Sequence, residues 1–246
     1  MRVLSRESAE RNNKLKARAM QYSDFEYIFI ITYARSGSTL LQSLINSADG
    51  VQIRGENNNA LFHLFLSCAG LRETSSRGRW GQQSQPDEPW YGAGEVDPEA
   101  FAQKVLNSFV EDVLKPAEGK RTIGFKEIRH TPYFMGSDQF SNYMSFLETT
   151  FPNARIVFNS RTAQDVANSA WLKQEDPKKI IGWVNECDRR FANYAETSDR
   201  AILMRYDDYV KEHDRLEELF SFLGLPFDRD KVEEIFDKPL THAKKL

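Results

Sequence analysis

The chain has 246 residues, of which 40% are hydrophobic and 12% aromatic, including 17 Phe, 9 Tyr and 4 Trp, so it can fill one sizeable core and cannot be read as disordered. Its 33 Lys and Arg stand against 36 Asp and Glu, a net charge of -3. That balance excludes a global positive field for nucleic acid or an anionic membrane, so any anionic ligand must be held by a local site.

Along the chain, strand-like and helix-like segments alternate, which predicts a mainly parallel sheet with helices on both faces. Arg2 to Arg18 is a charged stretch, and residues 1–24 are expected to form an arm outside a single domain over residues 25–246. Tyr27 to Thr32 is a continuous apolar run, as expected of a strand buried on both faces. A short polar loop follows, then Leu40, Leu41, Leu44, Ile45 and Ala48 at helical spacing before Gly50. Val51 to Arg54 reads as a second strand and Asn59 to Ala69 as a short apolar helix. Arg72 to Pro98 is dense in Gly and Pro and reads as a long loop or insertion; Trp80, Trp90 and Tyr91 are its large apolar groups. Pro98 to Lys115 has one apolar stripe and predicts a helix. Thr122 to Lys126, Ala154 to Asn159 and Ala201 to Arg205 complete the strands. Helices are predicted over Ser137 to Phe151, Thr162 to Lys173, Pro177 to Thr197 and Asp214 to Leu223. No repeat or low-complexity tract is present.

Met1 to Met20 lacks the apolar core of about 7 to 15 residues that a signal peptide needs, and no run reaches about 18 apolar residues. A soluble, cytoplasmic protein is expected, with Cys68 and Cys187 as reduced core thiols and a single disulfide between them as the alternative.

The first candidate site is the loop from Tyr33 to Thr39, YARSGST. It joins a buried strand to a helix, so backbone N–H groups and the helix N-terminus can cradle a phosphate. Gly37, Ser38 and Thr39 align with the end of a Walker A loop, but Ser38 stands where its lysine belongs and Thr32 where its first glycine belongs. The strand ARIVFN ends in Asn159 and Ser160, without the acidic residue that holds Mg²⁺ in a nucleoside triphosphate site. What remains is a loop for a metal-free phosphate, with Arg35 as its fixed charge; an ordinary tight turn is the plainer alternative. The second candidate is NSRTAQDVANS, from Asn159 to Ser169. It puts Arg161 at a strand end and Ser169 about 12 Å along a predicted helix, so one anion is shared only if both side chains face the same way.

RSGSTLL after a buried strand, then Gly55 and Glu56, a strand ending in Lys126, and the Arg161/Ser169 pair together resemble the PAPS-dependent sulfotransferases. The likeness is greatest to the bacterial carbohydrate and protein-tyrosine branches, which carry PRSGTTLL, a GEE-like segment and VRDxxxxxxS. RYDDYV (Arg205 to Val210) and LGLP (Leu223 to Pro226) look like that family's RYEDLV and LGLP, so the resemblance runs from about Tyr27 to Pro226. It implies a three-layer, P-loop-like α/β domain. It also implies that Arg35, Ser36, Gly37, Ser38 and Thr39 bind the 5′-phosphosulfate of PAPS, that Arg161 and Ser169 bind the 3′-phosphate, and that Tyr206 lies near the adenine. The product nucleotide would be 3′-phosphoadenosine 5′-phosphate (PAP), and no metal is expected.

Sulfuryl transfer to a hydroxyl needs a base, donors on the sulfuryl oxygens and charge on the leaving phosphate. Glu56 follows a strand at the carboxyl edge of the sheet and is the preferred base. Lys126, with Arg35, would stabilise the bridging oxygen, although Glu127 is an alternative, purely structural partner for that lysine. His63, on the apolar helix, reads as a packed residue, and His130 could meet the acceptor; both are rival bases. Trp80, Trp90 and Tyr91 could stack on a sugar or fold back onto the core. The chain has no RKGxxGxW-type segment, which many cytosolic small-molecule sulfotransferases carry, and this argues against a phenol or steroid acceptor; a carbohydrate is the preferred acceptor. A P-loop small-molecule kinase and a non-catalytic nucleotide-binding protein on the same fold are the competing readings.

Overall fold

The computed structural model describes residues 21–78 and 85–238. The arm up to Met20, Trp80 in the predicted loop, and residues 239–246 lie outside the described residues.

Five strands form one parallel sheet: β1 (Glu26–Ile31), β2 (Val51–Arg54), β3 (Thr122–Glu127), β4 (Arg155–Ser160) and β5 (Ala201–Arg205), in the order β2-β3-β1-β4-β5. From β1 the chain goes first to one edge, where β3 fills the place between β1 and β2, and then crosses to the other side for β4 and β5. The order therefore reverses at β1, and in open α/β sheets that reversal opens a crevice at the carboxyl ends of the strands.

The period-two alternation of β1 divides the core. Tyr27, Phe29 and Ile31 face one side and pack with α2 (Ala60–Gly78), α3 (Pro98–Ser108), α4 (Ser137–Thr150) and α6 (Pro177–Thr197), with the short α5 (Ala163–Ala167) at the edge of that layer. Ile28 and Ile30 face the other side, against α1 (Ser38–Ile45), α8 (Asp214–Phe222) and α9 (Arg229–Asp237), while α7 (Tyr206–Tyr209) is a single turn after β5. The result is the expected three-layer α/β arrangement. Cys68 and Cys187 are buried free thiols, one in α2 and one in α6. Among the described residues no helix is long and apolar enough to cross a membrane.

Four elements differ from their sequence reading. The predicted loop starts later, because α2 runs nine residues past Ala69 to Gly78. Its polar second half, RETSSRG, is held by charge rather than burial: Arg72 pairs with Glu99 of α3 at 2.9 Å, and Arg77 pairs with Glu73 at 3.1 Å. The helix begun at Pro98, where Asp97 accepts from Ala100 N–H at 3.0 Å, turns π-helical over Phe109–Leu114. The helix expected over Thr162 to Lys173 is broken: α5 ends at Ala167, Ser169 is extended, and a 3₁₀ turn follows over Ala170–Gln174. Helix α9 has no counterpart in the sequence reading, since its charged composition masks an apolar stripe of buried Val232 with half-buried Ile235 and Phe236.

Candidate active site

An open cleft of about 410 Å³ lies at the carboxyl edge of the sheet, within the range of small-ligand sites. Arg35, Gly37, Ser38 and Thr39 line one wall, Glu56 and Lys126 another, and Arg161 and Tyr206 a third. Five chain segments, one from the carboxyl end of each strand, thus deliver their polar groups to one place.

Local conformation explains the first wall. Arg35 and Gly37 both take left-handed backbone angles, with φ of 66° and 81°, and Gly37 caps α1. Beneath the loop runs a buried polar lattice. Thr32 Oγ1 donates to the Asn159 carbonyl at 2.7 Å and lies 2.6 Å from Ser36 Oγ; Asn159 Nδ2 donates to the Ser36 carbonyl at 2.8 Å; Tyr209 OH donates to Asn159 Oδ1 at 3.1 Å. The departures from a Walker pattern at Thr32 and Asn159 therefore stitch β1 to β4. Ser36 is fully buried in this lattice and does not line the cleft, unlike its neighbours.

Lys126, 6% exposed at the end of β3, reaches Glu56 Oε1 at 2.5 Å. Its neighbour Glu127, the alternative partner, is instead occupied on the other side of the strand. It accepts from the backbone N–H groups of Asn57 at 3.1 Å, Asn59 at 3.0 Å and Ile128 at 2.9 Å. These bonds fold the loop after β2, where Asn58 and Asn59 have φ of 57° and 61°, so that Glu56 faces the lysine.

The break after α5 brings Ser169 to Arg35 rather than into a contact with Arg161, and Ser169 does not line the cleft. With the helix ended at Ala167, Ser169 returns to the first loop, and Arg35 Nε donates to its Oγ at 3.0 Å. Arg161 Nη1 donates to the Arg35 carbonyl at 3.3 Å. Behind Arg161, Tyr33 OH accepts from its backbone N–H at 2.9 Å and donates to Asp188 Oδ1 at 3.0 Å. Burial pushes the Asp188 carboxyl up to about 6, against the lowering effect of the Tyr33 hydroxyl and Arg205.

Other candidates lie elsewhere. His63 is exposed on α2, not packed in the core. His130 is 1% exposed, stacks on Tyr143 with ring centroids 5.2 Å apart, and is held by burial at a pKa of about 3, so it is neutral and does not line the cleft. Trp90 and Tyr91 are exposed and do not line it either; the Arg77 guanidinium lies 5.4 Å from the Trp90 ring centroid. The cleft's large aromatic is instead Trp171, 53% exposed on the 3₁₀ turn, with Ile128 also in the lining. Its signal in the sequence was its position two residues after Ser169.

Residues 27–229 match the model described as the Sulfotransferase family. The chain belongs to that family. Two solved structures are similar to this sulfotransferase. One, described as the sulfotransferase domain from the curacin biosynthetic pathway, has 16% identity and a TM-score of 0.45, covering 90% of this chain and 83% of that one. The other, sulfotransferase STF9 from Mycobacterium avium, has 11% identity and a TM-score of 0.43, covering 93% and 70%. No curated protein matches the chain.

Proposed function

We propose that this sulfotransferase moves a sulfuryl group from PAPS to a hydroxyl of a carbohydrate or glycoconjugate, with Glu56 as general base. One observation carries the donor reading. Arg35 and Arg161 converge on a single cleft, no salt bridge to either is found among the described residues, although the Arg161 charge acts on the Asp207 carboxylate, and Arg161 Nε is buried without an acceptor. Two guanidinium groups facing one cleft with no salt bridge to either suit an anion, and a nucleotide phosphorylated at both the 3′ and 5′ positions offers two.

Arg35, Ser38 and Thr39 would hold the 5′-phosphosulfate at the N-terminus of α1, and Arg161 and Ser169 the 3′-phosphate. When bound, PAPS supplies a sulfuryl group already joined to a phosphate leaving group. Lys126 and Arg35 would stabilise charge as it builds on the bridging oxygen. Lys126 pairs with Glu56 Oε1. An anion beside Lys126 competes for the ammonium and leaves Glu56 Oε1 to take the acceptor proton. Trp171 and Ile128 present an apolar wall on which the C–H face of a sugar ring can lie, which supports a carbohydrate acceptor.

A thermal-shift comparison of nucleotides tests the donor. PAP without added Mg²⁺ should raise the melting temperature, since a ligand at about 100 times its dissociation constant stabilises by roughly 2.7 kcal/mol, and ATP should do little. A shift with Mg-ATP and none with PAP would overturn the reading in favour of a kinase. Transfer of labelled sulfate to an array of glycosides and phenols then tests the acceptor; transfer confined to the phenols refutes a carbohydrate.

A further inference from the structure

Resting on the PAPS reading above, we propose that Tyr206 is a positioning residue that couples the two phosphate subsites into one, rather than a contact to the adenine. Its ring is shared between them. The Arg161 guanidinium lies over it, with Cζ 4.8 Å from the ring centroid. On the 5′ side, a Cβ built on Gly37 falls 2.1 Å from Tyr206 Cδ2 and 2.4 Å from Cε2, so the ring sits against the glycine at the turn of the first loop. Both contacts are made by ring carbons.

The rest of α7 repeats the connection. Asp207 Oδ2 accepts from both the backbone N–H and the hydroxyl of Thr162 at 2.7 Å, next to Arg161. Tyr209 reaches Ser36 through Asn159, in the first loop. The turn YDDY therefore grips β4's carboxyl end and the first loop together, while Arg161 donates to the Arg35 carbonyl and Arg35 to Ser169. Neither subsite can move alone: displacing Arg161 frees the ring that backs Gly37, and displacing Gly37 frees the ring that backs Arg161. An anion that fixes Arg161 also fixes the loop for the second anion, which is a coupling free energy between sites.

The test is the affinity advantage of PAP over adenosine 5′-monophosphate, measured by calorimetry on the full chain. Tyr206→Leu should cut that advantage about tenfold, the size of one partly desolvated cation–π contact. Tyr206→Phe, which keeps the ring, should restore it. Uridine 3′,5′-bisphosphate separates this role from an adenine contact, because the coupling predicts the same loss for the uridine and adenosine bisphosphates. A loss confined to the adenosine nucleotides, an undiminished advantage in Tyr206→Leu, or failure of Tyr206→Phe to restore it overturns the coupling. If Tyr206→Leu shows no cooperative melt, Asp207→Ala carries the same comparison from the Thr162 side, with a reduced advantage expected and an unchanged one counting against the proposal. Absence of any PAP advantage in the wild type instead removes the donor reading, and this inference falls with it.

Discussion

Lys126 and Glu127 are neighbours on one strand whose side chains leave on opposite faces, yet both hold the loop that carries Glu56. Lys126 takes the carboxylate itself and Glu127 takes the backbone on either side of Asn58. Glu56→Gln keeps a side-chain oxygen for Lys126 but removes the counter-ion of a buried ammonium, so it should cost some stability as well as chemistry. Glu56→Gln is expected to lower the rate of transfer by roughly 10² to 10⁴ with PAP binding retained, as for loss of a general base. Near-full turnover in that variant would rule Glu56 out. Asp188 carries a prediction of opposite character. Its folded pKa of about 6 lies above the ordinary carboxylate value of 3.8, so folding holds its proton more tightly. The penalty for the charged form is complete above about pH 6 and gone below about pH 4, so this group's effect on stability improves as pH falls through that window. Asp188→Asn keeps a carbonyl oxygen for Tyr33 and removes the charge. It should be more stable than wild type by about 1 kcal/mol at pH 8, after allowance for partial exposure, and equal at pH 4. Urea melts at the two pH values check it; a variant weaker at pH 8 refutes the account.

Between residue and molecule stands the single turn α7, which does more than its four residues suggest. Tyr209 is fully buried, and its hydroxyl satisfies Asn159 Oδ1 inside the lattice under the first loop. Tyr209→Phe keeps the packing but leaves that oxygen without its donor, at a cost of about 1–3 kcal/mol in urea unfolding. No change in stability would mean that another donor replaces the hydroxyl. This element shows what is legible in sequence and what is not. The strand Ala201–Arg205 was read with its observed bounds, because an apolar run between breakers has few other solutions. That Tyr206 sits on Gly37 was not, because the contact joins residues 169 positions apart. The helix expected to carry Ser169 failed for a related reason. Local spacing continued it to Lys173, whereas in the folded protein Ser169 leaves the helix and meets Arg35, and the hydrogen bond belongs to tertiary structure.

Across the whole molecule, the site exists because β1 is central and its neighbours approach closely. Gly124 in β3 is the tightest point, since a Cβ there would lie 1.7 Å from the Ile28 carbonyl oxygen of β1. Gly124→Ala must separate two strands whose carboxyl ends carry Lys126 and the first loop. It should destabilise the fold by several kcal/mol and weaken PAP binding even in the fraction that folds. A variant with wild-type melting and binding would show that the strands part without cost.

By itself, the sequence determined the apolar runs of the strands, the strand-to-helix order and the polar residues at the strand ends, because these follow from local periodicity and turn chemistry. With the resemblance they support, they were enough to point to the three-layer fold and to most of the residues that line the cleft. Tertiary structure alone decided which of those residues meet. It turned Ser36 inward and Glu127 onto the loop backbone, removed His130 to the core, and brought Trp171 rather than Trp90 or Tyr91 to the cleft. The physical reason is that a side chain's partner is set by strand order and by how loops return across the sheet edge, and neither is encoded within the few residues around it.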